Sequence, residues 1–348
     1  MRRSARAPHA THAAHAAHAA ASARSPCDSG GMVDRPNSGP RPPLLIIAGA
    51  TATGKTGVSL DLVRGLRAEG TAAEVISADS RQVFRRLDIG TAKVPPGERA
   101  DVPHHGLDLV DPDEPFSVAH FVRHANEVLE GIAKRGGIAI LVGGTGLYLR
   151  AVARGLDADA LPSDADTRAA VEGLLARDGL GAAVARLHRL APMRARRTDI
   201  ANPRRVARAL EIAELAGDVA PPRPRGYPGP VAWLGLRVHG AQHREWIGNR
   251  ARAQFDAGLV EEARSLRERY DPALPAFSAI GYREAWALLD GEIDRETAIE
   301  RDVQRNVAFA KRQSTWFRSE PDIEWLSLPH VEPLPIALEC ARALLVPA

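Results

Sequence analysis

Leu44-Leu45-Ile46-Ile47-Ala48-Gly49-Ala50-Thr51-Ala52-Thr53-Gly54-Lys55-Thr56 is the stretch on which the fold turns. Its first five residues form an unbroken apolar run between Pro43 and Gly49, the pattern of a short strand buried on both faces of a parallel sheet. The last eight fit G-x-x-x-x-G-K-[ST], and behind them Val58, Leu60, Leu62, Val63 and Leu66 recur at helical spacing. Strand, glycine loop and helix in that order make a phosphate-binding loop, because converging backbone N–H groups and a helix N-terminus hold anionic oxygens. Lys55 is placed to neutralise phosphate charge and Thr56 to offer its hydroxyl to Mg²⁺. The loop specifies a diphosphate and leaves open whether it belongs to ATP or to another ester.

Outward from this loop the pattern alternates. Glu74-Val75-Ile76-Ser77 reads as a second strand, a helix covers 117–135, and Ile138-Ala139-Ile140-Leu141-Val142 is a third apolar run ending at Gly143-Gly144. Alternating strands and helices predict an α/β, P-loop NTPase-like parallel sheet flanked by helices, here spanning 43–155. From 156 to 220 strand signals vanish and Ala, Leu and Arg dominate, which predicts a helical insertion domain. Residues 221–230, with five prolines, exclude regular structure. Val231–Val238 then returns the chain to the sheet, and helical patterns near 243–270, 278–290 and 295–318 complete the core over 231–330, leaving 331–348 as a tail. Residues 1–42 are low in large apolar side chains and read as a disordered extension. Their histidines at 9, 12, 15 and 18 lack any further metal ligand, and Met32 is an alternative start.

The bulk composition narrows the classes. Of 348 residues 45% are hydrophobic and 26% charged, as in globular proteins, and no run reaches the roughly 18 apolar residues that span a bilayer. Cys27 and Cys340 are the only cysteines, too far apart in sequence for a zinc or disulfide pattern, which fits a reducing cytoplasm. A net charge of +3 is small, so nucleic-acid binding must rest on local clusters. One exists: Arg186, Arg189, Arg194, Arg196, Arg197, Arg204, Arg205 and Arg208 stand against the single acid Asp199, a one-sided stripe suited to RNA phosphates. Only four lysines occur, and Lys55, Lys93 and Lys311 all fall inside motifs.

Chemistry is selected by two further segments. Asp79-Ser80-Arg81-Gln82-Val83-Phe84-Arg85-Arg86-Leu87-Asp88-Ile89-Gly90-Thr91-Ala92-Lys93 follows the second strand, where a carboxylate faces the ligand crevice of an open sheet. Asp79 is there as a general base, a helix cap or a magnesium-shell ligand. Gly143-Gly144-Thr145-Gly146-Leu147-Tyr148 ends the third strand, and Thr145 can donate to phosphate or cap the next helix.

With these segments in view, the chain resembles the tRNA dimethylallyltransferase (tRNA isopentenyltransferase) family of bacterial type. The likeness rests on the loop, on the 79–93 segment and on Leu141–Tyr148. It is reinforced by His104–Pro112, Gly281-Tyr282-Arg283-Glu284 and Lys311-Arg312-Gln313-Ser314-Thr315-Trp316-Phe317-Arg318, and covers about 44–328. Ala50 stands where the family has Pro and Phe84 where it has Tyr. In the family's Arg-x-x-x-x-x-Arg-Ile-x-x-Arg segment the chain keeps Arg244 and Arg250 but has Gln254 at the third basic position. The resemblance implies transfer of a dimethylallyl group from dimethylallyl diphosphate to the exocyclic amine of the adenosine 3′ of the anticodon in tRNA, releasing diphosphate. It makes Asp79 the base and gives Lys55, Thr145, Arg250 and Mg²⁺ the leaving group, with the base flipped into the pocket. It also implies tRNA contacts from Asp79, Ser80, Arg81, Gln82, Thr145, Arg168 and the run Arg204-Arg205-Val206-Ala207-Arg208. Ile280 to Arg283 and Lys311 to Arg318 join these, with Trp316 and Phe317 as helix packing. The expected protein is a cytoplasmic, monomeric, RNA-binding transferase. A small-molecule kinase using ATP, an adenylate isopentenyltransferase acting on free nucleotides and a non-catalytic RNA-binding protein are the alternatives.

Overall fold

The computed structural model describes residues 41–156, 161–221 and 223–346. The extension and its histidines, Cys27 and Met32 lie outside these. Arg41 is buried, and its guanidinium donates to the Asn126 carbonyl at 2.9 Å.

Six strands form one parallel sheet in the order β3-β2-β4-β1-β5-β6. They are β1 (Leu44–Gly49), β2 (Ala73–Ser77), β3 (His104–His105), β4 (Ile138–Gly143), β5 (Val231–Val238) and β6 (Ile323–Leu328). β1 is central, pairing with β4 through Leu44↔Ala139 and with β5 through Leu44↔Val231. Every residue of β1 is buried, as its continuous apolar run requires. Alternation then sends Leu45 and Ile47 to one face, under α1 (Lys55–Ala68), and Leu44, Ile46 and Ala48 to the other, under α3 (Val118–Lys134) and α4 (Gly146–Ala153). The connection from β2 to β3 holds one short helix, α2 (Pro96–Arg99).

The expected insertion is present as α5 (Ala165–Leu190), broken at Gly179, then α6 (Pro192–Arg197) and α7 (Pro203–Ala216). It has a core of its own around Val171, Leu187, Val206 and Leu210. After β5 come α8 (Gly240–Asp256), α9 (Leu259–Arg267), α10 (Tyr282–Leu289) and α11 (Arg295–Phe317), which bury Val83, Phe84 and Leu87 in a further cluster. The helical pattern expected over 243–270 is thus two helices, parted at Gly258 with φ 102°.

The expected tail is a correction. Residues Pro333–Leu345 form α12, whose Ala337 and Ala341 are buried in the same cluster as Leu60, Leu62 and Leu66 of α1. Prolines at its start masked the pattern, although proline is well tolerated in a helix's first turn. β3 and β6 also escaped the reading, β3 because two residues carry no periodicity and β6 because Glu324 and Ser327 interrupt its apolar run.

Candidate active site

The ends of β1, β2 and β4 open onto a cavity of about 560 Å³. Its floor is the loop 49–56, which the sequence specifies locally. Gly49 is required there, since a Cβ would stand 2.5 Å from the Leu236 carbonyl oxygen of β5. Thr53 Oγ1 donates to the Ala50 carbonyl at 2.9 Å, and Lys55 Nζ donates to the same oxygen at 2.6 Å. Gly54 caps α1 with φ 80°, and Lys55 and Thr56 open the helix facing the cavity.

Other elements complete the site. From α8, Arg250 donates to Thr51 Oγ1 at 2.5 Å, bringing a second cation to the loop. Lys55 is half-buried and lines the cavity. Burial first, and then the Arg250 guanidinium, pull its pKa from 10.5 to about 7, against an opposing pull from Asp79. Burial likewise lowers Arg250, with Asp79 and Asp302 raising it in part. An electropositive cleft of this kind is a site for a polyanion.

Asp79 follows β2. Its Oδ1 accepts the backbone N–H of Arg81 at 2.8 Å and of Gln82 at 3.4 Å, which fixes the carboxylate at the cavity through one of its oxygens. Thr145 Oγ1 accepts the Ser80 N–H at 3.0 Å, so its own hydroxyl proton is free to be donated into the cavity. Acid and hydroxyl, 66 residues apart in sequence, are thereby tied together where β2 and β4 end. Nearby, burial raises the Tyr148 phenol to about 12, and it stacks on Phe121 at 4.2 Å as part of the core.

Hard oxygen donors are few. Among the described residues that line the cavity Asp79 is the one carboxylate, with hydroxyls such as that of Thr56 beside it, and no group of three or more His, Cys, Asp or Glu able to enclose a metal occurs among the described residues. Such a set suits Mg²⁺, which keeps waters and takes one or two protein oxygens alongside phosphate.

The expected RNA residues divide. Ser80, Arg81, Gln82, Arg204 and Ile280 line the cavity, and Arg205 and Arg283 are exposed. Along α11, Lys311, Arg312, Ser314, Thr315 and Arg318 are exposed. Other members of the set are corrected by burial. Tyr282 is 0% exposed and Val206 0%, so their side chains pack rather than meet RNA, while Phe317, read as helix packing, is 1% exposed. Gly281 is also buried and serves as the start of α10, while Ala207 is half-buried. Trp316 lies under the Arg150 guanidinium, 4.2 Å from its ring centre. Arg168 and Arg208 both donate to Glu211, a carboxylate 2% exposed, and Arg208 also donates to the Pro162 and Leu161 carbonyls. These two arginines pin the entrance of the insertion.

Gln313 is a brace. It accepts the Thr51 N–H at 2.8 Å and donates to the Gly144 carbonyl at 2.9 Å, locking the phosphate loop to the end of β4. Three residues went unread in sequence: His243, whose Nε2 lies 2.9 Å from the Thr51 carbonyl, and Arg305 and Asn306 on the cavity wall. The last two stand seven positions, or two helical turns, before Arg312 and Gln313, and that spacing was the available signal.

Comparison with known proteins places the chain in a family. A family model described as IPP transferase matches residues 82–320. A tRNA dimethylallyltransferase of Thermus thermophilus is 43% identical over 81% of this chain and 91% of its own. One from Anaeromyxobacter sp. is 43% identical over 82% and 93%. The crystal structure of a tRNA isopentenylpyrophosphate transferase from Bacillus halodurans superposes with a TM-score of 0.62 at 35% identity, covering 86% of this chain and 95% of that one. A eukaryotic dimethylallyltransferase acting on tRNA gives a TM-score of 0.64 at 25% identity over 82% and 74%. On sequence and fold alike, the chain is a transferase that belongs to the IPP transferase family, the family of the tRNA dimethylallyltransferases.

Proposed function

We propose that this transferase moves the dimethylallyl group of dimethylallyl diphosphate to the exocyclic amine of the adenosine 3′ of the anticodon in tRNA. The observation that carries the reading is the joining, in one cavity, of a cationic phosphate loop and a fixed carboxylate–hydroxyl pair. The bond between the allylic carbon and the diphosphate oxygen breaks as the carbon–nitrogen bond forms. Charge then accumulates on the leaving diphosphate, where Lys55, Arg250, the loop N–H groups and the Thr145 hydroxyl lie ready to stabilise it without reorganising. Mg²⁺, held by the Thr56 hydroxyl and diphosphate oxygens, would add electrostatic stabilisation of the same charge. The adenine amine is a weak nucleophile because its lone pair is delocalised into the ring. Asp79 accepts its hydrogen bond and then the proton lost on alkylation. To reach that carboxylate the base must leave its stack and enter the cavity. Arg204 on the rim and the exposed arginines of α6, α7 and α11 supply cations for the RNA backbone.

The enzyme acts as a cytoplasmic monomer in this reading. No helix among the described residues is long and apolar enough to cross a membrane. Incubation with dimethylallyl diphosphate, Mg²⁺ and an anticodon stem-loop tests the proposal. Mass spectrometry should show one five-carbon unit added to the adenosine after the anticodon. Modification of free adenine nucleotides in place of the stem-loop would identify an adenylate isopentenyltransferase, and turnover of ATP with a small acceptor would identify a kinase.

A further inference from the structure

One wall of the cavity is the backbone of Gly90, Thr91 and Ala92, a turn with no regular structure of its own. It is held by side chains from helices far away in sequence. Glu262 of α9 accepts the N–H groups of Asp88 (3.1 Å) and Ile89 (2.8 Å) on Oε2, and that of Gly90 (3.0 Å) on Oε1. Its Oε1 also takes the Tyr282 hydroxyl at 2.8 Å. Burial, and next the Glu262 carboxylate, hold that phenol well above its ordinary pKa, so it is the donor. From α8, Gln254 donates to the carbonyls of Ile89 (2.6 Å) and Gly90 (3.0 Å). The Tyr282 ring leaves no space for any side chain at position 90, where a Cβ would lie 2.6 Å from it.

On its inner side the turn meets the cavity residue Gln82. Gln82 Nε2 donates to the Thr91 and Ala92 carbonyls at 3.0 and 3.2 Å, and its Oε1 accepts the Ser77 hydroxyl at 2.8 Å. The position of the turn therefore sets the position of the Gln82 amide, three residues from Asp79. Neither Glu262 nor Gln254 lines the cavity, and neither is bonded to the phosphate loop. Gln254, which departs from a basic pattern in sequence, is used here as a double donor, its amide NH₂ reaching two carbonyls at once.

We infer that Glu262 and Gln254 are positioning residues for the acceptor: they clamp the 88–92 turn and through it fix the wall and the Gln82 amide against which the acceptor base is laid. The inference rests on the proposed transfer to RNA. A carboxylate offers acceptors only, whereas the amide of Glu262→Gln must turn its NH₂ toward one of the two pairs of donors, Asp88 and Ile89 or Gly90 and Tyr282. That variant should lower kcat/KM for the stem-loop about tenfold or more, as expected for losing one or two buried hydrogen bonds at a wall. Its affinity for dimethylallyl diphosphate, read by calorimetry, should stay within about twofold, because Lys55, Thr56 and Arg250 are untouched. Tyr282→Phe removes one donor and leaves the three backbone bonds, so it should keep kcat/KM while lowering Tm. Should Glu262→Gln not fold, Gln254→Met, of similar shape but without donors, is expected to show the same split. Parent-like kinetics in the variant, a parallel loss of acceptor and diphosphate affinity, or an equal loss in Tyr282→Phe would overturn the inference. Failure of the parent enzyme to modify the stem-loop would instead overturn the acceptor reading, and the inference with it.

Discussion

Raising the pH should weaken the hold of this site on diphosphate, and Lys55 sets the size of the effect. In the free site burial and Arg250 bring its pKa to about 7. A bound diphosphate places negative charge on the ammonium and raises the pKa again. The liganded state therefore holds a proton that the free state has partly lost. Affinity is highest below pH 7 and falls as pH rises through and above 7, by up to about tenfold per pH unit until the liganded pKa is reached. The terminal phosphate, with a second pKa near about 6, is already ionised in that range and does not mask the trend. Between pH 7 and 9 the loss comes to about fiftyfold, or roughly 2.3 kcal/mol. At pH 8 about nine-tenths of free sites carry neutral lysine, so each diphosphate bound takes up about 0.9 proton, against about 0.1 at pH 6. Calorimetric titration with dimethylallyl diphosphate in two buffers of different ionisation enthalpy counts that proton directly. Lys55→Arg, with a guanidinium charged at every pH used, should abolish both the uptake and the slope. Uptake near zero at pH 8 with flat affinity would refute the reasoning and show Lys55 charged throughout.

Other outcomes follow from the same geometry. Asp79→Asn keeps the shape of the side chain and removes its basicity, so single-turnover rates should drop about 10²–10⁴-fold while affinities for both substrates change by less than about tenfold. Normal turnover at saturation with weakened RNA binding would make Asp79 a positioning contact. Replacing Arg204 and Arg205 by alanine should weaken stem-loop binding and flatten its salt dependence by about 0.7–0.9 for each phosphate no longer neutralised, with Arg208 left intact because it holds Glu211. Parent-like binding across a salt series would mark both arginines as solvated surface. Gln313→Leu leaves the Thr51 N–H and the Gly144 carbonyl without their partner, which should cost about 1–3 kcal/mol in thermal or denaturant unfolding and loosen diphosphate binding. Unchanged stability would show that the loop holds its shape without this brace.

The sequence by itself determined everything that is local. An apolar run, a glycine loop and a helix in succession fix β1, the phosphate loop and α1, because each depends on neighbours in the chain. For the same reason the strand ends that carry Asp79 and Thr145 and the helical character of the insertion were legible. Tertiary structure decided what depends on distant partners. Pro333–Leu345 form a helix only because α1 offers an apolar face to Ala337 and Ala341. Arg208 within the basic stripe and Arg168 outside it both reach Glu211, a buried carboxylate that no reading of the stripe could reveal. Tyr282, Val206 and Phe317 sit within motif-like segments yet are core, since burial is a property of packing and not of the motif. Gln313 and Glu262 each satisfy backbone groups well over a hundred positions away, and no periodicity along one chain can report which backbone a side chain will meet.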